Sequence, residues 1–205
     1  MTMEKFTTLS AIAAYYPRAN VDTDLIIRVE RCAKVEKDGL GQYAFEMARF
    51  LPDGTDNPEF PLNHEPFRKA QILVGNINFG CGSSREMAVW AIAGMGIRCV
   101  IAPSFGDIFF GNCFQNGLLP IVLPQGVVEK LGAALAADPS HATLTIDLAR
   151  QKVVTPSEEF GFEIEPLRKK ALLEGLDEIG LTQLRDPEIT AFQQKDRIKR
   201  PWVYV

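Results

Sequence analysis

The stretch from Ile72 to Ile101 constrains the fold more than any other part of the chain. Ile72-Leu73-Val74 is a short apolar run suited to a buried strand, and Gly75, Gly80 and Gly82 then break it into a loop. From Ser84 onward Met87, Trp90, Ala91 and Met95 recur at helical spacing, until Gly94 and Gly96 end the pattern before the apolar run Cys99-Val100-Ile101. The order is strand, glycine-rich loop, helix, strand. Ser83 followed three residues later by Glu86 fits a capping box, in which each side chain satisfies a backbone N–H of the first helical turn. The N–H groups and partial positive charge of a helix start attract carboxylate or phosphate, and Arg85 adds a planar fork for bidentate binding.

The same residues are also compatible with a purely structural role, in which Ser83 and Glu86 cap and the glycines turn the chain. Other anion motifs fit less well. A dinucleotide fingerprint needs a third glycine where Arg85 stands, and a phosphate-binding P-loop needs a Gly-Lys-Ser/Thr sequence that is absent. The chain has two histidines, His64 and His141, and neither stands in a recognisable hydrolase constellation, so a reactive Ser83 would need another activator.

Further along, Leu118 to Leu123 reads as a strand, Val127 to Ala137 as a helix and Ala142 to Leu148 as an alternating strand, with two short strands flanking Pro156. Pro166 to Glu174 reads as a helix, with Pro166 at its start and Gly175 just past its end. Residues Pro52 to Pro66, interrupted by prolines and acidic residues, read as a surface loop. At 205 residues, with no repeat or evident linker, the whole chain 1–205 is expected to be a single α/β domain. The segment from about residue 186 reads either as a solvated tail or as an interface segment in which Trp202 and Tyr204 anchor on another chain.

A net charge of −4 argues against a nucleic-acid surface, and no apolar run approaches the roughly 20 residues of a membrane span. With no leader-like segment and no disulfide-type cysteine spacing, the expected location is cytoplasmic. Cys32, Cys81, Cys99 and Cys113 are too scattered for iron–sulfur ligation by this chain, and no other metal site is expected. Cys81 lies inside the anion loop, where a local field that lowered its pKa would make it oxidisable.

Several separated motifs carry a family resemblance. Asn78-Phe-Gly-Cys-Gly-Ser-Ser-Arg-Glu86, Asn20-Val-Asp-Thr-Asp24, Arg49-Phe50, Ala102-Pro-Ser-Phe-Gly-Asp-Ile-Phe-Phe-Gly-Asn112, Asn116-Gly-Leu-Leu-Pro120 and Gly175-Leu-Asp-Glu-Ile-Gly-Leu-Thr182 occur in order over nearly the whole chain. Together they resemble the small subunits of bacterial 3-isopropylmalate dehydratases, of the aconitase superfamily. The resemblance implies a swivelling β/β/α domain of the aconitase C-terminal type, a barrel-like mixed sheet with flanking helices. It implies a hydro-lyase of leucine biosynthesis, active only with a large subunit that carries a [4Fe-4S] cluster supplying the Lewis acid. It also implies roles: Ser83 as the base on a carbon-bound proton, Ser84 and Arg85 as carboxylate binders, and Asp24, Arg28 and Lys37 as further substrate-binding residues.

The chain departs from the family pattern at four places. Met87 stands where histidine is common, Arg28 where proline is typical, Val29-Glu30-Arg31-Cys32 replaces a more apolar stretch, and Lys37 stands close to where many relatives have arginine. In this family the loop after Asp-Thr-Asp is associated with choosing the substrate side chain, and an isopropyl group favours an apolar pocket. If Arg28, Glu30 or Arg31 faced the substrate, another hydroxydiacid would be favoured, such as methylmalate, dimethylmalate or a homologous tricarboxylate. Charges that pair with one another would leave the isopropyl reading intact. A catalytically silent binding protein is the remaining alternative.

Overall fold

The computed structural model describes residues 3–204. Strands β1 (Thr8–Tyr15), β2 (Ile72–Val74), β3 (Cys99–Ala102), β4 (Leu119–Val122), β5 (Thr143–Asp147), β6 (Lys152–Val154) and β7 (Glu159–Gly161) form one sheet in the order β4-β3-β2-β1-β5-β6-β7. The topology changes at β1. It runs parallel to β2, with Ala13 opposite Ile72, and antiparallel to β5, with Leu9 opposite Ile146. One half of the sheet is therefore the parallel set β1 to β4, and the other is the antiparallel meander β5, β6, β7.

Around the sheet lie α1 (Thr23–Ile26), α2 (Val29–Cys32), α3 (Glu46–Arg49), α4 (Glu86–Gly94), α5 (Asp107–Gln115), α6 (Gln125–Ala137), α7 (Pro166–Glu174), α8 (Glu178–Gln183) and α9 (Asp186–Lys199). Both faces of the parallel half are covered, which is why its strands read as unbroken apolar runs instead of alternating patterns. On one face Ile72, Val74, Cys99, Ile101, Leu119 and Ile121 pack with Val128, Leu131 and Leu135 of α6. On the other, Leu73, Val100 and Ala102 pack with Val89 and Ile92 of α4 and with Phe79 and Phe109.

The strands expected around 72–74, 99–101, 118–123, 142–148 and on either side of Pro156 are present, and so is the helix Pro166–Glu174. Gly175 ends that helix in a left-handed conformation, φ +71°, and its carbonyl accepts a hydrogen bond of 3.0 Å from the Met3 N–H. The segment 52–66 differs from a plain surface loop. Phe60 and Leu62 are buried, and the Asn63 side chain donates to the carbonyls of Arg49 and Asn57 at 2.6 and 3.0 Å. Two apolar residues inside a proline-interrupted stretch are enough to pull it onto the core.

From residue 186 the C-terminal segment is exposed along most of its length. Most of it is α9, beyond which Arg200 and the Tyr204 hydroxyl close over the buried Asp196 carboxylate at 2.7 and 3.0 Å. The Arg200 hydrogen bond, outweighing the opposing effect of burial and aided by the Tyr204 hydroxyl, holds the Asp196 carboxyl below its usual range. Trp202, by contrast, stands largely exposed. Among the described residues no helix is long and apolar enough to cross a membrane.

Helix α4 is pinned against the 3-10 segment Lys37–Tyr43 backbone to backbone, and a Cβ built on Gly41 would lie 2.2 Å from the Gly94 carbonyl oxygen. Neither neighbour is a flexible side chain that can yield. Gly41→Ala is therefore expected to lower stability by about 1–3 kcal/mol through overpacking; an unchanged urea midpoint would contradict the contact.

Candidate functional site

The loops that leave the carboxyl ends of β1, β2 and β3 are stitched side by side through their backbones. On one side of the loop after β2, Gly80 N–H donates to Val21 at 2.7 Å, Asn20 N–H donates to Ile77 at 2.9 Å and Thr23 N–H donates to Cys81 at 2.9 Å. On its other side Phe79 N–H donates to Ser104 at 3.0 Å and Gly106 N–H donates to Phe79 at 2.9 Å. Glycine is required at two of these crossings. A Cβ on Gly80 would fall 2.2 Å from the Phe109 ring, and one on Gly106 would fall 2.6 Å from the Gly80 carbonyl oxygen. The stitched loops end in Cys81 to Arg85, which lie at the carboxyl edge of the sheet, where open α/β sheets bind ligands.

The capping box expected at Ser83 and Glu86 is not formed. The residue at the helix boundary is Arg85, in extended conformation and without a side-chain cap. Glu86 instead accepts from the Asn116 side-chain amide at 2.8 Å, and Ser83 turns its hydroxyl to Thr23. The reason is competition: partners from other loops lie within reach, and they outbid a local cap. The outcome leaves the N–H groups of Gly82, Ser83 and Ser84 without a hydrogen bond among the described residues. Unbonded N–H groups in a turn with positive φ at Gly80 and Gly82 are an arrangement that can receive an anion.

Four of the expected site residues converge there. Ser83 and Ser84 are exposed, and Arg85 donates from Nη1 to Asp24 Oδ1 at 2.5 Å. Asp24 follows Thr23, which lies at the start of α1, where the Asp22 carboxylate caps the Leu25 N–H at 2.7 Å. Sequence reasoning missed Thr23, although it sits in the middle of the Asp22-Thr23-Asp24 motif. It is buried, and its hydroxyl lies 2.9 Å from Ser83 Oγ.

Arg28 and Lys37 are engaged elsewhere. Arg28 Nε is 3.3 Å from Glu30 and 3.7 Å from Glu46, while Arg31 reaches Glu46 at 2.9 Å and stacks over the Tyr43 ring. The charges of the segment after Asp-Thr-Asp thus pair with one another. Lys37 Nζ lies 4.9 Å from the Trp90 ring centre and donates to Asn116 Oδ1 at 3.3 Å. Asn116 also accepts from Trp90 Nε1 at 2.8 Å, making it a hub between α4 and α5 that the sequence flagged only as part of a motif. Met87 packs, half-buried, against the core.

The thiols do not gather into a metal centre: Cys99 and Cys113 are buried in opposite cores, and the described residues include no group of three or more His, Cys, Asp or Glu able to hold an ion. The expected activation of Cys81 is overturned. Burial first, and the neighbouring Asp22 carboxylate second, push its thiol pKa up. Burial also raises Cys32, partly offset by the Arg85 charge. In a Cys32→Ser background, Cys81 should label with a disulfide reagent at pH 7 more slowly than free cysteine, with a rate that still climbs above pH 9, where a free thiol levels off. Labelling faster than free cysteine would overturn this.

Two family models match the chain, Aconitase C-terminal domain over residues 3–126 and LeuD_N over residues 129–166. The 3-isopropylmalate dehydratase small subunit of Paramagnetospirillum magneticum is 52% identical over 202 residues, covering 98% of this chain and 100% of that protein. The namesake from Rhodospirillum rubrum is 51% identical, with 98% and 97% covered. A crystal structure of a 3-isopropylmalate dehydratase from Methanocaldococcus jannaschii shares the fold, with TM-score 0.63 and 24% identity over 92% of this chain and 99% of that one. With half its residues shared along nearly its full length, the chain belongs to the 3-isopropylmalate dehydratase small-subunit family, within the aconitase C-terminal domain family.

Proposed function

We propose that this chain is the small subunit of a two-chain hydro-lyase that interconverts 2-isopropylmalate and 3-isopropylmalate by dehydration and rehydration, in leucine biosynthesis. The observation that carries the reading is the convergence of Ser83, Ser84, Arg85 and Asp24 at one exposed edge of the sheet. In this reading the chain acts as one swivelling domain in the cytoplasm, against a large subunit that holds the [4Fe-4S] cluster. The dispersed, partly core-buried thiols of this chain do not fit such a cluster.

The chemistry assigned to this chain is proton transfer and carboxylate binding. The proton to be removed sits on a carbon next to a carboxylate, so its removal develops negative charge that fixed donors must stabilise. Arg85 presents five N–H donors and uses Nη1 on Asp24, which leaves other donors for a substrate carboxylate. The unbonded N–H groups of Gly82, Ser83 and Ser84 supply further donors. Ser83 is the base: the C–H bond breaks, its electron pair becomes the new double bond as the hydroxyl departs, and the proton ends on Ser83 Oγ. The same hydroxyl returns it in rehydration. A serine hydroxyl is a weak base, so it must be held as an alkoxide by surrounding donors.

The pairing of Arg28 and Arg31 with Glu46 removes the main reason to expect a more polar substrate than an isopropyl acid. Ser83→Ala, reconstituted anaerobically with the large subunit, should lose turnover by about 10²-fold or more while still assembling. Near-normal turnover would refute Ser83 as base. Arg85→Lys should chiefly raise KM, because the bidentate fork is lost; an unchanged KM would remove that assignment. Across 2-isopropylmalate, methylmalate, dimethylmalate and homocitrate, isopropylmalate should be preferred, and preference for another acid would turn attention to residues 28–34.

A further inference from the structure

We infer that Thr23 is a positioning residue for the reaction, a buried hydroxyl that donates to Ser83 Oγ when Ser83 is deprotonated and so holds it ready as base. The inference rests on the reading of Ser83 given above. Thr23 is 1% exposed, so water does not compete for its hydroxyl. Its Oγ1 lies 2.9 Å from Ser83 Oγ and 3.3 Å from the Ser83 carbonyl oxygen.

A threonine hydroxyl has one proton and two lone pairs. With Ser83 neutral, Ser83 can donate to Thr23 Oγ1 while Thr23 donates to the Ser83 carbonyl. With Ser83 ionised, the single Thr23 proton turns from the carbonyl to the alkoxide, a short rotation that moves no heavy atom. A hydrogen bond to an ionised oxygen is about twice as strong as one between neutral groups, so this donor favours the alkoxide over the alcohol.

The heavy atoms are fixed from several sides. Thr23 N–H donates to the Cys81 carbonyl at 2.9 Å, the Thr23 carbonyl accepts from Ile27 N–H at 3.0 Å, and Asp22 caps the turn. The β-branched side chain is stiff at χ1. Gly82 leaves the space beside it open: a Cβ there would sit 3.5 Å from Thr23 Oγ1.

The hydroxyl and the shape of Thr23 can be separated by substitution. Thr23→Val keeps the shape and loses the hydroxyl, whereas Thr23→Ser keeps the hydroxyl and loses the methyl. In the two-chain enzyme, Thr23→Val should lower kcat by about 10²-fold, the effect of deleting one preorganised donor, with KM unchanged. Thr23→Ser should recover most of that loss. A purely structural Thr23 gives the reverse order, with serine the worse variant, and that result overturns the proposal, as does an unchanged kcat in Thr23→Val. In a Ser83→Ala background the valine substitution should cost nothing further, because Thr23 acts through Ser83. Full turnover by Ser83→Ala would sink the base assignment and this inference with it. An inactive Ser83→Ala alongside a fully active Thr23→Val sinks this inference alone.

Discussion

The site depends on one constraint: the loop after β2 must lie between the loops after β1 and β3 and hydrogen-bond to both. An isolated glycine-rich loop would lose backbone entropy on ordering, about 1–2 kcal/mol per residue, with little to offset it. Here the neighbouring loops supply backbone partners, as an extra strand would, and the parallel sheet below sets their spacing. The glycines serve this interleaving before they serve any ligand. Gly80 makes room for Phe109, and Gly106 makes room for the Gly80 carbonyl. Ser83 thus stands on a platform assembled from parts of the chain about 60 residues apart, which is the separation of its contact with Thr23.

Much of this was legible in the sequence, and the misses have physical causes. The parallel strands β2, β3 and β4 announce themselves as apolar runs because they are buried on both faces. β1, the central strand, does not. Its sequence, Thr-Leu-Ser-Ala-Ile-Ala-Ala-Tyr, is built of small residues, because helix α6 packs closely over it, and small residues carry a weak periodic signal. Ser83, Ser84, Arg85 and Asp24 were legible as motif members, but the capping box was misread because local pattern takes no account of Thr23 and Asn116, which arrive from distant loops. Pairwise competition of that kind is a tertiary property.

Charge around the site is organised by exchange among neighbours. Asp24 holds Arg85, Glu46 holds both Arg28 and Arg31, and Asn116 collects Lys37, Trp90 and Glu86. Glu46 is nearly buried, so its two arginine partners keep a carboxylate from being stranded in a poor solvent for charge. The net result is a rim rich in ionic residues that presents few uncommitted charges toward Ser83. Ion pairs here shape the loops and leave the N–H groups of Gly82, Ser83 and Ser84 unbonded among the described residues.

The contact between Gly41 and Gly94 has a bearing on how such a site diversifies. It anchors the far end of the segment that follows Asp24, while the Thr23 to Cys81 hydrogen bond anchors the near end. Between those two fixed points, residues 28 to 36 are mostly exposed or half-buried and bear less on the loop that carries Ser83 than Lys37, which reaches Asn116, or the buried Leu40. Past Gly41 a change would push directly on α4, whose first turn follows Arg85. Under the proposed reading, grafts intended to alter substrate choice would therefore stop short of Lys37.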